Sequence, residues 1–341
     1  MKTMKKVCAN IIVLVMMLAL GITAHAAGAY TITINNSTSG HVYEAYQIFT
    51  GDLSGDVLSN VQWGTGVDGT TLLAALKADG TVGSTFAACA TAADVAAAMS
   101  GMTDDAAAAQ AIAQIVGSNL STTIAGTSTA GTGAYTIAGL DAGYYLVKDQ
   151  NDSVTGNDSY TRFILEVVKD VTATPKSGTP TVTKTVVGKN DSTGETQPTE
   201  VAADYDVGDS ISYTLTGTLP SNYADYATYK YIFHDAMSAG LTFDPTSVVV
   251  KVDGTTITAG YTVATSGLTD GCTFEVQFAD LKQIASITAA SKITVEYSAT
   301  LNSGAVLGSA GNPNTVVLEY SNNPNVGGSG STGKTPVDTN T

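Results

Sequence analysis

The chain has 341 residues, enough for two domains with a sizeable core in each. Thirty acidic residues against 15 basic ones give a net charge of −15 with no basic patch, which argues against a nucleic-acid partner. A hydrophobic share of 43% with 35 glycines points to a globular, turn-rich and mainly β protein.

Residues 1–26 read as a secretory signal peptide. Lys2, Lys5 and Lys6 form a positive start, and Ile11 to Gly21 is an apolar run too short to cross a bilayer. Ala24-His25-Ala26 is a small-x-small cleavage site. Cleavage there removes Cys8 and leaves Cys89 and Cys272 in different predicted domains, so two unpaired thiols are expected rather than a disulfide.

Residues 27–173 form the first predicted domain. Alternation marks strands at 30–34 and 41–49. Residues 70–78 then read as a short helix, and the alanine-rich stretch 92–116 as one or two more, split near Gly101 with Thr103 as an N-cap. Strands return at 134–137, 143–149 and 160–168, so the domain is a β-sandwich with an α-helical insertion. A Pro/Gly/Ser-rich junction at 174–180 follows, carrying Lys176 directly after Pro175.

Residues 181–325 read as a second, purely β domain, with strands at 181–187, 210–218, 229–235, 247–252, 272–278, 292–301 and 314–321. Seven short strands separated by turn residues suggest an Ig-like sandwich, so the fold class is two such sandwiches in tandem. Residues 326–341 read as a Gly/Ser-rich linker at the chain end.

Side-chain parity puts three polar residues of this second domain on apolar strand faces. Lys184 lines up with Val182 and Val186, Asp235 with Tyr231 and Phe233, and Asn314 with Val316 and Leu318. Glu275, Glu296 and Glu319 fall on the opposite parity and are expected to face water. Each of the three inward groups is costly to bury alone. Together they permit a reaction: desolvation favours a neutral, nucleophilic lysine amine and a protonated Asp235 able to serve the Asn314 carboxamide. Held in contact, amine and amide give a Lys–Asn isopeptide bond with loss of one ammonia. Two other readings fit the same parity. One is a buried Lys184–Asp235 salt bridge with Asn314 capping a turn, and the other is three exposed strand-end residues. Asn312 shares the parity of Asn314 and is a second candidate for the bond.

Several segments resemble the backbone pilins of Gram-positive bacteria, the isopeptide-forming fimbrial subunit family. In the first domain these are Tyr43-Glu44-Ala45-Tyr46-Gln47-Ile48-Phe49, Trp63-Gly64 and Gly139-Leu140-Asp141-Ala142-Gly143-Tyr144-Tyr145. In the second they are Pro180-Thr181-Val182-Thr183-Lys184, His234-Asp235-Ala236-Met237 and Asn314-Thr315-Val316-Val317-Leu318-Glu319-Tyr320. The resemblance covers essentially the whole mature chain and implies the Lys184–Asn314 bond with Asp235 as proton shuttle. It also implies that a pilus-specific sortase joins the next subunit to the junction lysine, here Lys176 in Thr174-Pro175-Lys176, with Thr174 where a Tyr is often found. The implied partners are other pilin subunits, that sortase and host surface ligands, and the implied location is the cell-surface pilus. No Leu-Pro-x-Thr-Gly sorting signal and no third β domain occur in the sequence, which reads as a C-terminal truncation.

The first domain offers no matching crosslink, because its opening strands contain no lysine and Lys148 and Lys169 read as surface residues. The leading expectation is therefore a structural shaft subunit. The alternative is an adhesin or tip pilin that binds a host ligand or glycan through its first domain. An enzyme acting on external substrates finds no support: His41 and His234 sit in no metal-ligand spacing, and there is no nucleophile elbow. No cofactor and no metal are expected.

Overall fold

The period-two and period-3.6 patterns become sheets and helices close to where they were read. The computed structural model describes residues 28–340 except 101, 103–105, 131–132, 155, 176–177, 190–192, 269, 285–286, 309 and 327–331. The chain divides into two units. The first runs to Thr155 and from Tyr160 to Lys176; the second takes Gly156–Ser159 and everything from Ser177. The short excursion 156–159 is held by second-unit side chains, with the Tyr320 hydroxyl donating to the Asn157 carbonyl at 2.8 Å and Asn322 Nδ2 to the Asp158 carbonyl at 2.8 Å.

The first unit opens with β1 (Tyr30–Ile34), β2 (Tyr43–Ser54) and β3 (Val57–Trp63). Four helices follow: α1 (Gly69–Ala78), α2 (Gly83–Phe86), α3 (Ala92–Ser100) and α4 (Ala106–Ser118). The unit closes with β4 (Gly126–Thr127), β5 (Thr129–Ala130), β6 (Tyr135–Leu140), β7 (Gly143–Asp149), β8 (Arg162–Val167) and β9 (Val171–Ala173). One sheet has the order β5-β6-β1-β9, the other β3-β2-β7-β8 with β4 also paired to β2. Strand β7 shows why the unit has three layers. Tyr145 and Val147 point to the core between the sheets, with Ile32, Ile34 and Ile137. Tyr144 and Leu146, on the opposite face, meet Leu72, Leu76, Val95 and Ile112 of the helices.

Helix starts follow local chemistry. Asp68 Oδ1 accepts from the Thr70 and Thr71 amides at 3.0 Å, capping α1. Thr91 and Asp94 form a reciprocal box before α3, with the Asp94 amide on Thr91 Oγ1 at 3.2 Å and the Thr91 amide on Asp94 Oδ2 at 2.8 Å. The proposed break near Gly101 and the Thr103 cap lie outside the described residues.

The second unit contains β10 (Val182–Lys189), β11 (Thr196–Glu200), β12 (Ser210–Thr218), β13 (Tyr231–Met237) and β14 (Leu241–Val252). It continues with β15 (Thr255–Ile257), β16 (Thr262–Ala264), β17 (Phe274–Phe278), β18 (Lys292–Leu301), β19 (Pro313–Ser321) and β20 (Thr332–Asn340). Two antiparallel sheets, β11-β10-β12-β18-β14-β15 and β16-β17-β13-β19-β20, face each other as a sandwich. Val186, Leu215 and Val295 of the first meet Phe233, Val276 and Val316 of the second in one core. The β14–β15 hairpin turns on Asp253-Gly254, both at positive φ, as a tight two-residue turn requires.

Three expectations need correction. The stretch assigned to a linker contains β20, which pairs antiparallel with β19 from Pro313↔Asn340 to Ser321↔Thr332. Its threonines suit a strand, but the glycines before it resemble a linker, and the pairing with β19 is what defines it. Glu275 is buried rather than facing water, because the segment before β17 folds over it. Lys148 is largely covered, pairing with Glu44 at 3.2 Å, whereas Lys169 is exposed and pairs with Asp56 at 2.7 Å.

Candidate functional site

The two sheets of the second unit bring together four polar side chains in an otherwise apolar core. Lys184 lies on β10 opposite Leu215 of β12, and Tyr297 lies on β18 opposite Tyr213 of β12, all in the six-stranded sheet. Asp235 on β13 and Asn314 on β19 come from the facing sheet, where Asp235 stands opposite Val316 and Met237 opposite Asn314. The chain therefore places the amine on one wall of the sandwich and the amide on the other.

Lys184 is 2% exposed, and Asp235 and Asn314 are fully buried. Lys184 Nζ donates to Asp235 Oδ2 at 2.7 Å. The Tyr297 hydroxyl donates to the same oxygen at 2.8 Å and accepts from Asn314 Nδ2 at 3.0 Å. Asp235 Oδ1 is buried and has no hydrogen-bond partner among the described residues. Aromatic rings wall the site: Tyr213 stacks on Tyr297 with centroids 5.3 Å apart, and Phe274 meets Tyr297 edge-on at 4.9 Å. The Lys184 amine lies 5.6 Å from the Tyr213 ring centre and 5.8 Å from that of Tyr297.

Burial is the main influence on the acid. It pushes the Asp235 carboxyl above the ordinary carboxylate range, and only the adjacent Lys184 ammonium and the two hydrogen bonds oppose it. Burial raises the Tyr297 hydroxyl well above its ordinary value too, so the phenol stays a proton donor. A buried carboxyl that can carry a proton, an amine on its oxygen and a carboxamide one hydroxyl away can perform acyl transfer from amide to amine.

The structure thus gathers Lys184, Asp235 and Asn314. Asn312 is engaged elsewhere: its Oδ1 accepts from the Val306 amide at 2.9 Å and its Nδ2 donates to the Val306 carbonyl at 3.3 Å. Lys176 lies outside the described residues. Tyr297 was missed at the sequence level. Its parity with Ile293 and Val295 marks it as inward, but a tyrosine among core aliphatics usually only packs. His234 points to the other face of β13, as its parity requires, and its Nε2 pairs with Glu319 Oε2 at 2.9 Å. Both described cysteines, Cys89 and Cys272, are free thiols.

The second unit is therefore a β-sandwich whose core encloses a lysine, an acid and an amide. Residues 207–324 match the family described as "Gram-positive pilin backbone subunit 2, Cna-B-like domain". The trypsin-resistant surface T6 protein of Streptococcus pyogenes serotype M6 is 33% identical over 160 residues, which are 46% of this chain and 28% of that protein. The solved T6 backbone pilin of the same serotype, described as a modular three-domain structure, aligns with a TM-score of 0.57 at 20% identity. That alignment covers 94% of this chain and 65% of the solved one, so the chain spans less than two thirds of either relative. The full-length major pilin SpaD of Corynebacterium diphtheriae aligns over 93% of this chain and 65% of its own, at 18% identity and a TM-score of 0.47. The chain is thus similar to Gram-positive backbone pilins, and the family match itself lies within the second unit, at residues 207–324.

Proposed function

We infer that the protein is the shaft subunit of a covalently polymerised cell-surface pilus, internally locked by a Lys184–Asn314 isopeptide bond. The observation that carries this reading is the sealed chain of contacts from the Lys184 amine through Asp235 and Tyr297 to the Asn314 carboxamide, at 2.7, 2.8 and 3.0 Å. In the reaction, Lys184 passes one proton to Asp235 and attacks Cγ of Asn314. Asp235 protonates the carboxamide oxygen as the tetrahedral centre forms. Collapse of that centre breaks the Cγ–Nδ2 bond, and Nδ2 leaves as ammonia with the transferred protons. Tyr297 holds the carboxamide against the acid while the reaction runs.

The bond joins the two sheets and is made once per molecule. Assembly is a separate event, in which a sortase transfers the C-terminal threonine of one subunit to the Lys176 amine of the next. The secretory start of the sequence and the likeness to a surface protein support an extracellular, wall-associated location. Intact mass of the purified chain tests the internal bond. The expected value is one ammonia below the calculated mass, restored to the full calculated mass in Lys184→Ala. A wild-type chain at its full mass refutes it.

A further inference from the structure

The face of β13 opposite the isopeptide site carries a second cluster that the pilin reading leaves unused. His234 stands directly across from Glu275 in the β13–β17 pairing, and the turn before β17 brings Asp270 and Cys272 over the same spot. One potential ligand atom from each of the four lies within 4.8 Å of the others. His234 Nδ1 is 2.7 Å from Asp270 Oδ2 and 3.1 Å from Glu275 Oε1, and Cys272 Sγ is 3.6 Å from that same oxygen.

Three of the four groups are tethered by one atom and present another. The imidazole is held at Nε2 by Glu319, leaving Nδ1 to the cluster. Glu275 is held at Oε2 by Gln277 and offers Oε1. Asp270 takes the Cys272 amide on Oδ1 at 3.2 Å and offers Oδ2. The His234 side chain is 8% exposed, yet its Nδ1 is buried and makes no hydrogen bond of proper geometry with the carboxylates beside it. With Nε2 on Glu319, Nδ1 faces two carboxylate oxygens, Asp270 Oδ2 and Glu275 Oε1. Potential ligand atoms from four side chains thus converge on one point.

We propose that His234, Asp270, Cys272 and Glu275 form a binding site for a divalent transition-metal ion of the Zn²⁺ type. One nitrogen, one sulfur and two carboxylate oxygens make a four-ligand set suited to a borderline-soft tetrahedral ion. Ligand atoms about 2.1 Å from such an ion stand about 3.4 Å apart, so the observed separations close onto it with small side-chain adjustments. The sulfur weighs against Ca²⁺ and Mg²⁺, which take oxygen. Glu319 supplies the outer carboxylate that commonly orients a metal-bound histidine. Coordination sends the Cys272 thiol proton to the buffer, with no redox change. The ion ties the turn before β17 to the middle strand of its sheet, one residue from Asp235. The expectation that the chain holds no metal came from its spacing, which shows only Asp-x-Cys-x-x-Glu; the histidine arrives through strand pairing.

The test uses the full chain, stripped with a chelator and titrated with Zn²⁺ against a chromogenic competitor. One equivalent is expected, with Glu319→Gln weakening uptake by about 10–100-fold. Asp270→Asn/Cys272→Ser, altered at accessible turn positions, is expected to abolish it while the isopeptide mass stays unchanged as a check on folding. Co²⁺ loading is expected to give a thiolate-to-cobalt charge-transfer band that persists in Cys89→Ser and vanishes in Cys272→Ser. No stoichiometric uptake by the wild type, undiminished uptake by the double variant, or a cobalt spectrum indifferent to Cys272 would each overturn the proposal. None of these outcomes depends on whether the internal isopeptide bond forms.

Discussion

Replacing Asn314 by alanine would remove the proposed bond while keeping both Lys184 and Asp235. The covalent loop from 184 to 314 contains about 130 residues, and the chain-entropy relation assigns a crosslink of that span about 5 kcal/mol. For a unit of this size each kcal/mol moves the melting temperature by about 2–4 °C, so the second unit of Asn314→Ala is expected to melt roughly 10–20 °C below wild type. The single tryptophan provides an internal control. Trp63 packs on Phe49 in the first unit, so its fluorescence transition is expected to stay put while the tyrosine and far-ultraviolet signals of the second unit move. A shift under about 5 °C, with the wild type at its full calculated mass, would refute the crosslink; a matching fall in the Trp63 transition would show a general loss of folding.

Asp235→Asn keeps the shape of the site but has no carboxyl to carry a proton, so the chain is expected to fold and retain the ammonia; a normal mass loss in this variant would remove Asp235 from the reaction. Lys176→Ala is expected to abolish high-molecular-weight ladders in cells expressing the pilus sortase, and unchanged ladders would favour the adhesin or tip reading. Lys282 provides a pH-dependent check. Its amine sits 4.0 Å from the Tyr223 ring centre, and burial lowers its pKa to about 8, with Asp225 and Asp280 pulling the other way. The unfolded lysine holds its proton to about pH 10.4, so between those values the unfolded state binds more protons and stability rises with pH. Melting curves from pH 7.5 to 9.5 should show that rise in the wild type and a smaller one in Lys282→Met; equal slopes would contradict it.

The sandwich and the polar residues buried in its core were legible because burial and parity speak the same language in a strand. Val182, Lys184 and Val186 alternate so regularly that the lysine could only share their face, and the same holds for Asp235 beside Phe233. What stayed hidden depends on pairing between distant segments. Tyr297 gains its meaning from where β18 lies relative to β13, and nothing in its own strand separates it from a packing tyrosine. Glu275 alternates with apolar residues as a surface residue would, but the turn carrying Asp270 covers it and turns it toward His234. Strand β20 was masked by composition, because the glycines before it resemble a linker and only its register with β19 reveals a strand.

Where the lysine and the amide sit in the chain determines what their bond does under load. Lys184 is near the start of the second unit and Asn314 is on β19, so tension entering along β10 and leaving along β19 would otherwise pull the two sheets apart. The proposed covalent link would divert that tension through a single amide and shield the 129 residues from 185 to 313. Those residues, fully extended, span about 430–460 Å, which is the length an unlocked unit would release. Hydrogen bonds and apolar packing alone would let that length unravel one strand at a time. Single-molecule stretching across this unit should therefore show no such release for the wild type and a step of that size for Asn314→Ala. A wild-type chain that yields the full step would mean the four side chains are only a buried polar network, and that the shaft draws its strength from packing.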